Sequence, residues 1–172
     1  MVAKKAWVPA KGTYSVGTTD SPHDPTIGSI SFTPKPPSHM VIDKDLAVSS
    51  YEELLEDNVH LLEYLKVASL ANLAHVHPNE EGGWNARGDP TEIAIQVLAS
   101  RFKWNRLDYT KGERPAWKQL AEFPFDSDVK KMSVIFEEAL TSKKYVFTKG
   151  AVERVSYTRT SKTNDTLADI IF

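Results

Sequence analysis

The sequence predicts an α+β domain in which a twisted antiparallel β-sheet is flanked by helices. In the middle of the chain, apolar residues recur about every 3.6 positions, which is the pattern of amphipathic helices. On either side of that region, short runs alternate between apolar and polar residues and are separated by turn-forming residues, as in strands joined by hairpins. The length of 172 residues is typical of a single domain.

The composition excludes several classes of protein. With 41% hydrophobic and 26% charged residues, the chain can form a packed core and is not a disordered polypeptide. A formal net charge of −2 gives no overall electrostatic reason to bind nucleic acid. The absence of cysteine excludes disulfides, thiolate metal ligands and a cysteine nucleophile. No apolar run approaches the roughly 18–20 residues of a membrane-spanning helix.

The N-terminal part of the chain predicts three strands. Residues 1–9 and 12–16 are short extended runs, and residues 28–33 alternate with Ile30 and Phe32 on one face. The prolines that follow from Pro34 end this strand, because proline cannot donate to a sheet ladder.

A long helix is predicted next. Ser50 and Glu53 form a capping box, and apolar residues then recur with helical spacing to about Val76. Residues 67–76 are apolar on nearly all sides, so we expect them to be buried. Pro78 and the two glycines at 82 and 83 are expected to end the helix.

The pentapeptide Gly-Asp-Pro-Thr-Glu at residues 88–92 begins a second, shorter helix. Asp89 suits the N-cap, Pro90 the first helical position, and Glu92 the third. Helix-start chemistry therefore accounts for these residues and is the favoured interpretation of their spacing alone. It does not require the complete pentapeptide, which leaves a functional role open.

Period-two alternation returns from Leu120 onward and predicts a final set of strands. Phe123 and Phe125 are expected to share a face, and a hairpin is expected through residues 139–143. The other predicted same-face sets are Lys130, Met132, Val134 and Phe136 on one strand, and Tyr145, Phe147 and Lys149 on the next.

Two features of these strands suit a ligand with a flat ring and an anionic group. Phe125 ends one strand and Lys130 begins the next, so a ring and an ammonium group could approach each other. A plain strand–turn–strand interpretation explains this stretch equally well. Lys149, Gly150 and Ala151 lead from a strand into a predicted short helix at residues 150–154, and this favours an anion only weakly.

Other catalytic and metal-binding patterns find little support. His75 and His77 are expected at a helix end, where the helix dipole favours them and no further ligand completes a metal set. The sequence contains no nucleophile elbow, no Walker P-loop and no G-x-G-x-x-G motif.

Taken together and in this order, the motifs at residues 88–92, 125–133 and 149–151 resemble the nucleotide-binding (N) domain of P-type ATPases. The likeness is greatest to the fungal sodium/potassium-efflux type, and it extends to residues 1–7, 22–32 and 88–102. It covers residues 1–155, whereas residues 156–172 form a divergent tail.

The resemblance implies a site for ATP, which is bound as Mg-ATP in a complete pump. Phe125 is expected to stack on the adenine, and Glu92 to support its edge. Lys149 is expected to line the floor of the pocket, and Gly150 to permit close approach. Lys130 is expected to reach the phosphates or the ring, with Met132 and Ala151 completing the nucleotide-binding set.

The resemblance also sets expectations for the whole protein. The phosphorylated aspartate of the family lies in the motif Asp-Lys-Thr-Gly-Thr, which this sequence lacks, as it lacks actuator and transmembrane domains. We therefore expect a truncated N domain that misses its C-terminal strand or strands and does not turn over ATP alone. In the parent pump it would lie on the cytosolic face of the membrane. The alternative is an interaction or remnant protein that keeps the fold without binding nucleotide.

Overall fold

A computed structural model describes residues 1–8, 11–17, 19–35, 46–47, 58–155 and 167–171. For residues 46–47, 152 and 167–171 only the backbone is described. The predicted capping box of Ser50 and Glu53 lies outside the described residues.

The N-terminal strands form an antiparallel sheet in the order β1-β2-β3-β4. Burial alternates along β1 and β2, because one face of these strands packs on the core and the other faces solvent. The predicted strands are confirmed, and β3 ends at Pro34 as expected. Their bounds are Lys5–Val8 for β1, Gly12–Val16 for β2, Ile30–Pro34 for β3 and Leu46–Ala47 for β4.

The first described helix, α1, spans Val59–Leu70 and ends earlier than predicted. Asn72 explains the early end. Its side-chain amide donates to the carbonyl oxygen of Ala68, and its side-chain oxygen accepts from the backbone N–H of Ala74. Such local bonds compete with helical ones. The predicted burial of the segment is confirmed, since Val67, Leu70 and Val76 are at most 1% exposed.

The segment after α1 is a hairpin of β5 (His75–Pro78) and β6 (Trp84–Arg87), so its assignment to a helix end was wrong. His75 and His77 therefore lie in a strand. The glycines at 82 and 83 belong to the hairpin turn, where the Asn79 side chain accepts from the backbone N–H of Gly83 at 2.7 Å. The described residues contain no group of three or more histidines and carboxylates that could hold a metal ion.

The helix predicted after residue 88 is confirmed as α2 (Pro90–Arg101), and a one-turn helix, α3 (Arg106–Thr110), follows. Asp89 caps α2, with Pro90 in its first turn. None of the helices in the described ranges is both long and apolar enough to cross a bilayer.

The C-terminal strands form a second sheet in the order β10-β9-β8-β7. The hairpin between β8 and β9 is confirmed, and α4 is the short helix expected near residues 150–154. The bounds are Trp117–Asp126 for β7, Lys131–Glu138 for β8, Lys144–Gly150 for β9, Val152–Val155 for α4 and Leu167–Ile171 for β10.

Register puts the predicted faces of β8 and β9 side by side. Met132 pairs with Lys149, Val134 with Phe147 and Phe136 with Tyr145. Met132, Val134, Phe136 and Phe147 are fully buried, whereas Tyr145 packs at the margin of the core. This face therefore joins the sheet to the helices.

One expectation about the β7–β8 connection was wrong. Lys130 is not in the strand with Met132: it lies in the turn, with a φ of 55°, and its backbone N–H donates to the Asp126 carbonyl oxygen at 2.6 Å. Burial does not alternate along β7, which is nearly all exposed because it lies at the edge of the sheet. The pairing with β8 also shifts register between Phe123 and Asp126, so simple alternation no longer ties Phe125 to the face of Phe123.

One hydrophobic core joins both four-stranded sheets to α1 and α2. Tyr14 of β2 is fully buried, contacts Phe102 edge-to-face, and accepts a hydrogen bond from Asn58 at the start of α1. On the second sheet, Trp117 and Phe147 pack edge-to-face in the same core.

The last strand, β10, runs parallel to β9 and occupies its outer edge. An unpaired edge there would invite association with other strands. The expectation that the sheet misses C-terminal strands stays a prediction.

The side chain of Arg101 fixes the turn-rich loop before β3. It is 3% exposed, and its guanidinium donates to the carbonyl oxygens of Asp24, Pro25 and Ile27. The end of α2 is thereby bonded to a loop more than 70 residues away in sequence.

Replacing this arginine tests that anchor. We predict that Arg101→Met lowers the free energy of unfolding by at least about 2 kcal/mol, because hydrogen bonds from a charged donor contribute about 1.5–3 kcal/mol each. Urea denaturation measures the loss. The matched control is Arg114→Met at an exposed position, for which a change within about 0.5 kcal/mol is expected. Equal effects of the two variants would contradict the anchoring role.

Candidate functional site

The start of α2 is shaped by Gly88 and Asp89. Gly88 has a φ of +138°, and a Cβ there would lie 2.9 Å from the Cα of Ala74, so only glycine fits. The Asp89 carboxylate accepts from the backbone N–H groups of Thr91 and Glu92. These hydrogen bonds, that of Thr91 first, lower the pKa of Asp89. The pentapeptide is therefore more than a helix start, because its glycine also allows contact with the segment after α1.

The carboxylate of Glu92 joins three parts of the chain. One oxygen accepts from the Lys149 ammonium at 2.7 Å, and the other accepts from the backbone N–H of Leu73 at 3.2 Å. The backbone carbonyl of Glu92 accepts from the Asn72 side chain at 2.9 Å. The start of α2, the end of β9 and the link between α1 and β5 thus meet at one residue.

Lys149 is a buried ammonium group. Its side chain is 9% exposed, and that of Glu92 is 16% exposed. Burial lowers the pKa of Lys149, while the hydrogen bond and the charge of Glu92 oppose that shift. A desolvated ion pair of this kind presents strong, fixed hydrogen-bonding groups to any ligand that reaches it.

Gly150 brings the end of β9 against the β7–β8 turn. A Cβ on Gly150 would collide with the carbonyl oxygen of Lys130 and lie 2.7 Å from the Cβ of Lys131. The backbone N–H of Ala151 donates to the same Lys130 carbonyl oxygen at 3.0 Å. Because no side chain fits between them, the Lys-Gly-Ala segment and the turn are held together at the backbone.

Phe125 lies at the end of β7 and is 60% exposed. The register shift in β7 lies between Phe123, which pairs with Ser133, and Asp126, which pairs with Lys131. Phe125 therefore lies in the part of β7 that is next to Met132, the register partner of Lys149. The turn beyond it is closed by the Asp126 carboxylate, which accepts from two backbone N–H groups.

Lys130 pairs with Glu153 on α4, its ammonium lying 3.2 Å from the carboxylate. Both side chains are about half exposed. The charge that is expected to meet a phosphate is thus paired with a carboxylate.

Backbone pairing and contacts bring the seven predicted site residues to one end of the second sheet. Phe125, Lys130, Met132, Lys149, Gly150 and Ala151 belong to the adjoining ends of β7, β8 and β9, and Glu92 joins them through Lys149. Their role in binding nucleotide stays a prediction.

Sequence reasoning missed three residues of this cluster. Leu73 and Asn72 contact Glu92 across about 20 residues of sequence, which no local pattern indicates. Glu153 lies one turn after Gly150, and an acidic side chain so close in sequence to the Lys-Gly-Ala motif was the available signal.

Two open clefts of the described residues lie beside this cluster rather than in it. One, of about 370 Å³, runs between β1 and α2 and is lined mainly by apolar side chains such as Trp7, Tyr64 and Ile95. The other, of about 400 Å³, is lined by Val129, Lys131, Glu153 and Arg154. Since Glu153 lines the second cleft and pairs with Lys130, that cleft adjoins the candidate site.

The chain belongs to the family described as "P-type ATPase, cytoplasmic domain N", whose model matches residues 60–165, more than half of the sequence. The resemblance drawn from the three motifs is therefore confirmed. The family defines the class of protein, and individual relatives narrow it further.

Several curated relatives are fungal cation exporters. The sodium/potassium exporting P-type ATPase cta3 of Schizosaccharomyces pombe is 33% identical over 155 residues, and sodium/potassium exporting P-type ATPase 1 of Saccharomyces cerevisiae is 31% identical over 190 residues. Each match covers 90% of this chain, but only 14% and 17% of the respective relative. A calcium-transporting ATPase of Bacillus cereus is 29% identical over 62% of this chain and 11% of its own length.

Neutralising Glu92 tests the buried ion pair. We predict that Glu92→Gln lowers the free energy of unfolding by about 3 kcal/mol near neutral pH, because it leaves the Lys149 charge buried without a counter-ion. Glutamine keeps one oxygen for the N–H of Leu73, but its NH2 group cannot accept from the Lys149 ammonium, so the variant removes both the charge and the hydrogen bond of the pair. Urea denaturation measures the loss, with the exposed Glu113→Gln as the matched control.

The same variant has a predicted pH dependence. Burial holds the pKa of Lys149 below 10.5, and removing the Glu92 charge lowers it further. The loss of stability is therefore complete below the folded-state pKa of Lys149 in the variant. It narrows as the pH rises from there to the folded-state pKa in the wild type, above which Lys149 is neutral in both folded proteins. A loss below about 0.5 kcal/mol near neutral pH, or one that does not narrow, would contradict this account.

Proposed function

We propose that this chain binds ATP at the end of the second sheet, as the nucleotide-binding part of a cation-exporting P-type ATPase. The observation that carries the proposal is the meeting of three separate motifs at the Glu92–Lys149 ion pair, beside the exposed ring of Phe125. Membership of the family supports the general role. The names of the fungal relatives support sodium and potassium as the cations.

The chemistry of the residues fits the recognition of an adenine nucleotide. An exposed aromatic ring offers a stacking surface for a flat base. The Glu92 carboxylate can accept a hydrogen bond from an amino group, and the Lys149 ammonium can donate to a ring nitrogen. Lys130, in the turn beside Gly150, is the cation nearest in sequence to the stacking ring and suits the phosphates.

The wider role follows from the family rather than from this chain. We propose that residues 1–155 are the N domain and that residues 156–172 are a divergent tail, of which Leu167–Ile171 form the edge strand β10 beside β9. The chain would be one piece of a larger pump, in which it delivers the γ-phosphate of Mg-ATP to an aspartate of a separate phosphorylation domain at the cytosolic face of the membrane. In such transfers catalysis depends on positioning and electrostatics. Alone, the chain is expected to bind ATP weakly and to hydrolyse none.

Truncating the stacking ring tests the proposal. We predict that Phe125→Ala weakens ATP binding by about 1–3 kcal/mol, by analogy with the stacking of bases on aromatic side chains. Isothermal titration calorimetry or an NMR titration of the full 172-residue chain measures the affinity. The matched control is Phe123→Ala, which removes an equally exposed ring, 57% accessible, from the same strand.

The control is expected to bind ATP as the wild type does. Equal affinities of Phe125→Ala and the wild type would overturn the stacking role. Failure of the wild type to bind at millimolar ATP would favour an interaction protein that keeps the fold without the ligand.

A further inference from the structure

The backbone of Lys130 is held on both sides by hydrogen bonds, so its side chain is the part that is free to reach a ligand. Its φ of 55° is in the left-handed region, its N–H donates to the Asp126 carbonyl oxygen, and its own carbonyl oxygen accepts from Ala151. Gly150 fits against it without space for a side chain. The lysine side chain therefore starts from a defined position beside the Lys-Gly-Ala segment.

Glu153 is held close to the Lys130 backbone as well. It lies in α4, whose first turn is closed by hydrogen bonds from the N–H groups of Arg154 and Val155 to the carbonyl oxygen of Ala151. Ala151 is also the residue that bonds to Lys130. The carboxylate and the ammonium thus project from two segments that share one anchor, and they meet at 3.2 Å.

We infer that Glu153 competes with the phosphates of a bound nucleotide for Lys130, and so sets how strongly the site distinguishes nucleotides by their number of phosphates. The inference rests on the proposed nucleotide-binding function. The carboxylate takes up one donor of the ammonium and repels an approaching phosphate, so a phosphate binds Lys130 more tightly once the carboxylate is displaced. Adenosine carries no phosphate and meets neither obstacle.

Once the Glu153 carboxylate is neutralised, the charged residues of its cleft favour an anionic ligand. Lys131 and Arg154 line the same cleft as Glu153. Glu153 is the acidic residue among the four that line it. Because the Lys130 and Glu153 side chains are 54% and 52% exposed, their pairing is weak enough for a polyphosphate to displace.

Neutralising Glu153 tests the inference. We expect Glu153→Gln to tighten ATP binding about twofold to fivefold, the range of affinity that exposed ion pairs span. Adenosine binding is expected to stay unchanged. Calorimetric or NMR titrations of the full chain with ATP, ADP and adenosine give the three affinities. The matched control, Glu80→Gln, removes the same charge from the turn of the β5–β6 hairpin and is expected to match the wild type for all three ligands.

A double-variant cycle separates competition from general repulsion. Lys130→Gln is expected to weaken ATP binding, and Glu153→Gln added to it is expected to gain less than it does in the wild type. The same gain in both backgrounds would overturn competition for Lys130.

The outcomes also separate this inference from the proposed function. If the wild type binds ATP but Glu153→Gln binds it no more tightly, the role of Glu153 is wrong while nucleotide binding stands. An equal gain for adenosine and ATP would likewise overturn the role of Glu153. If neither the wild type nor Glu153→Gln binds ATP or adenosine, the proposed function fails and this inference fails with it.

Discussion

The buried ion pair between Glu92 and Lys149 is the interaction on which the arrangement of the site depends. It joins the first turn of α2 to the last residues of β9, and the same carboxylate holds the backbone at Leu73. Taking two charges out of water costs several kcal/mol each, and their attraction and hydrogen bonds only offset that cost. Apolar side chains in place of such a pair are often neutral or stabilising. The stability of the fold therefore does not by itself account for the pair, and the proposed nucleotide site would give its polar groups a role.

A second constraint acts at the backbone. Gly150 has no room for a side chain against Lys130 and Lys131, so the Lys-Gly-Ala segment and the β7–β8 turn are in direct backbone contact. Phe125 and Lys130 differ from the buried ion pair, since both side chains are more than half exposed. Buried, paired groups next to exposed ones would suit the proposed nucleotide site, because only the exposed side chains would have to be ordered on binding.

The sequence predicted most of the strands and the helix at α2, because their signals are local. Asp89 and Pro90 start α2 as their chemistry requires, and the β8–β9 hairpin follows from alternation and a polar turn. The end of α1 was mispredicted, because the side chain of Asn72 forms hydrogen bonds to the backbone there. The apolar residues that follow, such as Val76, therefore lie in a strand. Residue patterns do not reveal that β7 lies at the exposed edge of the sheet. They also do not reveal the left-handed backbone of Lys130 in the turn that follows.

The candidate site followed from the order of three motifs rather than from any one of them. Tertiary structure added what spacing could not provide: the ion pair between Glu92 and Lys149, which are 57 residues apart, and the pairing of Lys130 with Glu153. Each depends on how distant elements pack, so neither is visible in a local pattern.

The most direct measurement of the central claim is an NMR titration of the full chain with ATP that maps backbone amide shifts. The account predicts that the shifts cluster at Phe125, Met132, Lys149 and Gly150. No shift at millimolar ATP would contradict it. Shifts confined to another region, such as the cleft between β1 and α2, would contradict it as well.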